Sequence, residues 1–339
     1  MQNLIDPAIL FFLVGIFAGA VKSNLEIPPS IAKFLSMYLL MALGLKGGFA
    51  MAKSGMTDTA AIALGAAIFM AFLVPALGYA FLKNRIAKFD AAAVAAAYGS
   101  VSAVTFVTAM QFLEASNMQP GGYMAVAMVV MESPAIIMAV LMANVLRHQN
   151  ASNLVLSGGG TLAMDGGADV KCAGSGPSVG KILKESFTDG AHLLLLGAMA
   201  VGYISGEAGR TMMQPFSGDL FKGMLAFFLL DMGLMVARNF ADARKSSPVL
   251  IAYAAVGPLV HAGLALLLGA VLGMKAADVA ILMVLSASAS YIVVPAVLRY
   301  AIPEANPSLY FGLSLGITFP LNILVGIPLY AYVAKTVLG

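Results

Sequence analysis

Two hydroxyl-rich stretches, Tyr98-Gly99-Ser100-Val101-Ser102-Ala103-Val104-Thr105 and Ser286-Ala287-Ser288-Ala289-Ser290-Tyr291, decide how this chain is read. Each lies inside an apolar segment long enough to cross a bilayer, where an unpaired backbone or hydroxyl group costs several kcal/mol. They occupy matching places in the two halves of the chain. Small polar residues set at membrane depth twice, at corresponding positions, predict a binding site there.

Around these stretches the chain is 60% hydrophobic and 10% charged, with a mean hydropathy of +0.92. A soluble domain carries about 25% charged residues. Apolar runs of roughly 20 residues recur along the chain, which predicts an all-α polytopic membrane protein. The strands of an outer-membrane barrel alternate polar and apolar residues, and these runs do not. The net charge of +3 is too small and too dispersed for a nucleic-acid partner. Cys172 is alone, so the sequence holds no intrachain disulfide. There is no Trp, which leaves an interfacial aromatic belt to Tyr38, Tyr79, Tyr123, Tyr203, Tyr253 and Tyr330. No basic region precedes Pro7–Val21, which reads as a retained first span rather than a cleaved signal.

Hydropathy broken at charges and Pro/Gly clusters predicts ten transmembrane segments. Five lie in the first half: Pro7–Val21, Ile31–Met51, Thr59–Leu82, Ala91–Leu113 and Gly121–Leu146. Five lie in the second: Ala191–Ile204, Phe221–Ala237, Pro248–Met274, Ala277–Tyr300 and Ser308–Val337. The expected domains are residues 1–149, a Gly/Ser-rich linker at 150–185, and residues 186–339. Within the linker, Gly180-Lys181 ends a near-miss to a phosphate loop, but Ser175 stands for its leading Gly and Ile182 for its Ser/Thr. Counted over alternate loops, thirteen of the 19 Lys and Arg residues fall on the side that holds the linker, which predicts that side to be cytoplasmic and both termini outside.

Five spans per half is an odd number, so the second half enters the membrane inverted. Internal matches support this. Ala42-Leu43-Gly44-Leu45-Lys46 parallels Asp231-Met232-Gly233-Leu234-Met235, and Met131-Glu132-Ser133-Pro134 parallels Ile317-Thr318-Phe319-Pro320. With the two serine stretches in the fourth and ninth spans, the order is that of two inverted five-helix repeats, an architecture of secondary transporters.

Gly99 and Pro295 break helices, so spans four and nine are expected to be broken and to cross near the midplane. Half-helix N-termini there would face an anion, and hydroxyls and freed carbonyls would suit Na⁺. Close helix packing by Gly, Ala and Ser is the competing reading. Glu132, with its repeat partner Thr318 and with Asn322, either completes Na⁺ sites behind the breaks or ties helices together, for instance through Lys46. Lys46 and Asp231 either pair or line an access path, and His261 reads as a packed, hydrogen-bonded residue. The serine-hydrolase pattern occurs at Gly176–Gly180 and Gly312–Gly316, in the linker and in a span, where its strand-to-helix turn has no place. The expectation is therefore not an enzyme.

In Leu25-Glu26-Ile27-Pro28, Gly44-Leu45-Lys46-Gly47-Gly48, Ala97 to Phe106, Met131 to Ala135 and Ser286 to Tyr291, the chain resembles the sodium-dependent bicarbonate transporters of cyanobacteria and other bacteria. The resemblance runs from Phe12 to Leu329 outside the linker. It implies a fold similar to the bile-acid sodium symporters, with helices 1, 2, 6 and 7 as a gate domain and helices 3–5 and 8–10 as a core domain moving as an elevator. It also implies a homotrimer in the bacterial inner membrane that imports bicarbonate with co-transported Na⁺. Carried over, the bicarbonate site falls on Gly99, Ser100, Ser102, Ala103, Ser288, Ala289 and Ser290. Sodium falls on Thr105, Glu132, Ser286, Thr318 and Asn322. Cyanobacterial members are inhibited by a PII-like cytoplasmic regulator, from whose partner pattern this Gly-rich, weakly charged linker departs. Two alternatives stand beside this: a sodium symporter of another small or organic anion, and a non-transporting membrane sensor whose linker docks a soluble partner.

Overall fold

Proline and acidic caps set where the helices of this chain begin. Asp6 accepts the Ala8 N–H at 2.8 Å, and Pro7, whose missing N–H is no loss at a first helical position, opens α1 (Pro7–Ala20). The computed structural model describes residues 6–54, 58–157, 190–244, 246–291, 294, 295, 297, 298 and 302–339. Along them follow α2 (Pro29–Ser54), α3 (Asp58–Leu82), α4 (Lys88–Gly99), α5 (Ala103–Ala115) and α6 (Met124–Ser157). After these come α7 (Gly190–Gln214), a π-turn at Pro215–Asp219, α8 (Leu220–Arg244), α9 (Pro248–Val271) and α10 (Ala276–Ala287). The last helix, α11 (Pro307–Leu338), carries π-turns at Ser314–Thr318 and Asn322–Gly326. No strand occurs among the described residues. Helix α6 continues to Ser157; the rest of the expected linker, with its near-miss phosphate loop, Cys172 and any regulator-docking surface, lies outside the described residues.

Seven helical stretches among the described residues are long and apolar enough to span a bilayer, against ten expected segments. The difference has two sources. Leu193–Phe240 is a single run of 48 residues that holds the sixth and seventh expected segments. At 1.5 Å per residue it measures about 72 Å, more than twice the hydrocarbon thickness. It is kinked at Gly206 (φ 54°, ψ −141°), a backbone conformation that disfavours any side chain. Secondly, Pro7–Ala20 and Ala276–Ala287 are apolar but only 14 and 12 residues long.

Helices pack in two groups. Helix α2 lies along α7, and α1 lies along α8. Both crossings are glycine-lined: a Cβ on Gly48 would sit 2.1 Å from the Met199 carbonyl, and one on Gly233 2.2 Å from the Phe12 carbonyl. Contacts advance together along each pair, Gly44 to Leu195 and Gly48 to Met199, Gly15 to Leu230 and Gly19 to Leu234, so both pairs run parallel. In the second group α3 packs on α4 and α6, α9 on α10, and α10 on α11 and α5. A buried cluster of Ala91 to Tyr98, Tyr253, Ala254 and Tyr310 surrounds α4.

The expected tyrosine belt needs correction. Tyr38, Tyr123, Tyr253 and Tyr330 are buried, and of the six only Tyr203 is well exposed. Each buried ring serves a packing or hydrogen-bonding role: Tyr38 donates to the Phe216 carbonyl, and Tyr253 packs against Tyr98 with centroids 5.0 Å apart. Hydropathy cannot tell an amphipathic ring at the interface from one whose hydroxyl has a partner inside.

Because carbonyls face the absent side chains, Gly48→Ala and Gly233→Ala should each lower stability by about 1–3 kcal/mol through overpacking. Gly197 and Gly263, with nothing within 4 Å, should accept Ala without loss. Thermal unfolding of the purified protein checks this; equal melting temperatures for all four variants would contradict the close crossings.

Candidate functional site

The two serine stretches meet. Helix α4 ends at Gly99, with Ser100 extended (φ −95°, ψ 174°), and α10 ends at Ala287, with Ser288 extended (φ −80°, ψ 165°). Both half-helices are 12 residues long. Beyond the breaks, Ser290 N–H donates to the Ala97 carbonyl at 2.8 Å. In the opposite direction Ser102 N–H donates to Ser288 Oγ at 3.0 Å, and that hydroxyl donates to the Leu285 carbonyl at 2.8 Å. One crossing bond is thus direct, and the other passes through a serine hydroxyl. Backbone groups freed by one break are satisfied by the other, as a bilayer interior demands.

Ser102 also caps α5, its Oγ accepting from Thr105 N at 3.3 Å. Gly99, Ser100, Ser102, Ser288, Ala289 and Ser290 are buried, whereas Ala103 at the α5 N-terminus is only half-buried. Gly99 lies against Pro75 of α3, where a Cβ would come within 2.6 Å of the ring. Close approach, rather than flexibility alone, accounts for glycine there. The structure therefore brings all seven expected anion-site positions to one crossing.

Of the five expected sodium positions, Thr105, Ser286 and Asn322 lie at the crossing and Thr318 reaches it through Tyr98, whereas none of these bonds ties Glu132 to it. Asn322, fully buried on α11, donates Nδ2–H to the Ala287 carbonyl at 2.8 Å and accepts from Tyr330 OH at 3.1 Å. The Thr318 hydroxyl donates to the Ala254 carbonyl at 2.8 Å. Having one proton, it must accept from Tyr98 OH, 2.7 Å away. Thr105 lies in the first turn of α5 and Ser286 in the last turn of α10, both buried. Glu132 is buried on α6 two residues before Pro134. The Ser100, Ser286 and Ser314 hydroxyls are buried without a hydrogen-bond partner. Orphaned oxygens around two helix C-termini suit a hard cation, whose preferred ligands are oxygens. Among the described residues no three His, Cys, Asp or Glu side chains cluster to hold a metal.

Aromatic neighbours to which the sequence assigned no role at the site complete it. Tyr98 and Tyr330 hold Thr318 and Asn322. Tyr291, the last residue of the second stretch, reaches Met232 of α8 (OH to S 3.5 Å) and packs on Phe319 with centroids 5.4 Å apart. Phe319 in turn meets Phe12 of α1 at 5.6 Å. This aromatic seam separates the α1–α8 group from the crossing. Lys46 pairs with Glu114 of α5 at 3.0 Å and lies over the Phe221 ring, a partner not anticipated for it. His261 is buried and packed beside Tyr253, and its Nδ1 has no hydrogen-bond partner.

A family model described as the Na⁺-dependent bicarbonate transporter superfamily matches residues 7–335. No curated protein matches the chain.

Ser288→Ala leaves the buried Ser102 N–H without an acceptor, while the Leu285 carbonyl keeps the Ser288 N–H, and should cost about 1–3 kcal/mol; Ser100→Ala, whose hydroxyl has no partner, should cost little. Denaturation of the two purified variants side by side measures the difference; equal stabilities would contradict the bridging hydroxyl.

Proposed function

The chain belongs to the Na⁺-dependent bicarbonate transporter superfamily, and on that premise we propose that it is a sodium-driven bicarbonate symporter working by elevator-type alternating access. The observation that carries this reading is the crossing of two half-helices from the two halves of the chain, bonded through Ser102, Ser288, Ser290 and Ala97. On this reading bicarbonate sits at Gly99, Ser100, Ser102, Ala103, Ser288, Ala289 and Ser290. Its donors include the N–H groups of Ala103 and Val104, which helix geometry leaves without an intrahelical acceptor. Sodium draws on Thr105, Glu132, Ser286, Thr318 and Asn322 and on the carbonyl ends of α4 and α10. A crossing lined by hydroxyls binds neither ion well alone. Cation and anion compensate each other in a medium where an unpaired charge is expensive, and that couples their transport.

The ten-helix, inverted-repeat reading is supported by helix direction. Adjacent spans α1 and α2, joined by residues 21–28, run oppositely, and α7 is parallel to α2. Thus α7, the first helix of the second half, opposes its repeat mate α1. Helices α1, α2, α7 and α8 would form the gate, and α3–α6 with α9–α11 the core. The aromatic seam of Phe12, Phe319 and Tyr291, poor in directional bonds, suits a sliding boundary. The proposed assembly is a homotrimer in the bacterial inner membrane, with both termini outside. The proposed domains remain 1–149, the cytoplasmic linker 150–185 and 186–339, the linker being where a PII-like regulator would dock.

Uptake of labelled bicarbonate into proteoliposomes tests the function. An inward Na⁺ gradient should drive accumulation that a choline gradient does not. Ser102→Ala should lower it by about tenfold or more, the equivalent of one hydrogen bond lost from the bound state, with the protein still assembling. Uptake indifferent to Na⁺ would overturn the coupling.

A further inference from the structure

Two carboxylates outside the crossing stand in matching places. Asp90 is the third residue of α4 and Asp278 the third of α10, each ten residues before the extended serine, Ser100 or Ser288, at the inner end. An acidic side chain in a first turn ordinarily serves the helix dipole or caps its own helix. These two instead reach backbone N–H groups of the other half of the chain. Asp90 Oδ1 accepts from Asn306 N at 2.7 Å, in the turn that leads into α11. Asp278 Oδ1 accepts from Gly121 N at 2.7 Å, in the turn that leads into α6, while Oδ2 accepts from Tyr123 OH at 2.6 Å. Thr59 of α3 is hydrogen-bonded to the same Tyr123 hydroxyl. Asp278 is 2% exposed, so its bonds are made out of reach of water. The turn held by Asp90 is gripped again two residues earlier, where Glu304 takes a two-pronged bond from Arg147 of α6 at 2.8 and 2.9 Å.

The geometry points to Asp90 and Asp278 as a matched pair of positioning residues, each pinning the outer end of its half-helix to the opposite half and so fixing where the inner ends meet. A half-helix of 12 residues is a rod of about 18 Å. A slip of one residue moves its inner end by about 1.5 Å and turns it by about 100°. That exceeds the roughly 0.5 Å window of a good N–H···O bond, so it would break the Ser290–Ala97 and Ser102–Ser288 contacts. Apolar packing of alanine-rich α4 resists such sliding weakly, because the small side chains of Ala91, Ala92 and Ala93 offer low ridges. A charged acceptor at the far end supplies the missing axial stop. Each half-helix is then held at both ends by the other half, and the crossing inherits its register from bonds at the two outer ends.

Hydrogen–deuterium exchange of the purified protein reads this without reference to transport, so it stands or falls separately from the symport reading. Asp90→Ala and Asp278→Ala should speed exchange over residues 97–105 and 286–291 by about tenfold, the opening expected when one charge-assisted bond is lost. Asp90→Asn keeps the one accepting oxygen and should stay near the parent, which separates the bond from the helix dipole, whereas Asp278→Asn keeps one of two acceptors and should match the loss of one bond. Tyr123→Phe, which removes one of the two bonds on Asp278, should give about a threefold effect and serves if Asp278→Ala does not fold. Faster exchange confined to residues 118–123 and 302–306, with the crossing at parental rates, would overturn the proposal.

Discussion

A membrane interior has no water to satisfy a broken helix, and everything at the centre of this protein follows from that constraint. Two helices are interrupted at the same depth, which frees backbone donors and acceptors that lipid cannot satisfy. The chain answers by letting each interruption complete the other: Ser290 N–H reaches Ala97, and Ser102 N–H reaches Leu285 by way of the Ser288 hydroxyl. Asn322 takes up the Ala287 carbonyl, and Thr318 the Ala254 carbonyl. Among the buried polar atoms left unbonded are the Ser100, Ser286 and Ser314 hydroxyls, where the polar lining exceeds what the fold itself consumes.

The surroundings divide by the kind of contact they make. Around the crossing, contacts are directional: buried hydroxyls, amides and carboxylates with short bonds. Along α1–α8 and α2–α7 they are steric, glycine faces meeting carbonyls with no room for a methyl group. Between the two groups lie the aromatic seam, a close approach of Gly122 to the Gly47 carbonyl, and the exposed Lys46–Glu114 pair, which in a solvated setting is worth roughly 0–1 kcal/mol.

Much of this was legible in the sequence because it depends on residue type alone. Hydroxyls inside apolar runs located both breaks, and the break in the first stretch falls between Gly99 and Ala103, inside the quoted residues. Hydropathy found the long helices but could not foresee that the sixth and seventh segments join through a π-turn, since both states have the same composition. Which side chain meets which was not legible. Asp90 and Asp278 look like ordinary first-turn acids, and only the fold brings Asn306 and Gly121 to them across the chain. The tyrosine belt failed for a similar reason: the partners that draw Tyr38 and Tyr123 inward are distant in sequence, and Asn322, which Tyr330 meets two turns back, gives no sign in the sequence that it faces inward.

The central claim is that the hydroxyl-lined crossing holds cation and anion more tightly together than apart. Calorimetric titration of bicarbonate into the purified protein, at matched ionic strength in sodium and in choline, measures it most directly. The account predicts binding that tightens with Na⁺, and Na⁺ binding that tightens by the same factor when bicarbonate is present, as linkage requires. Bicarbonate affinity unchanged between sodium and choline would contradict it.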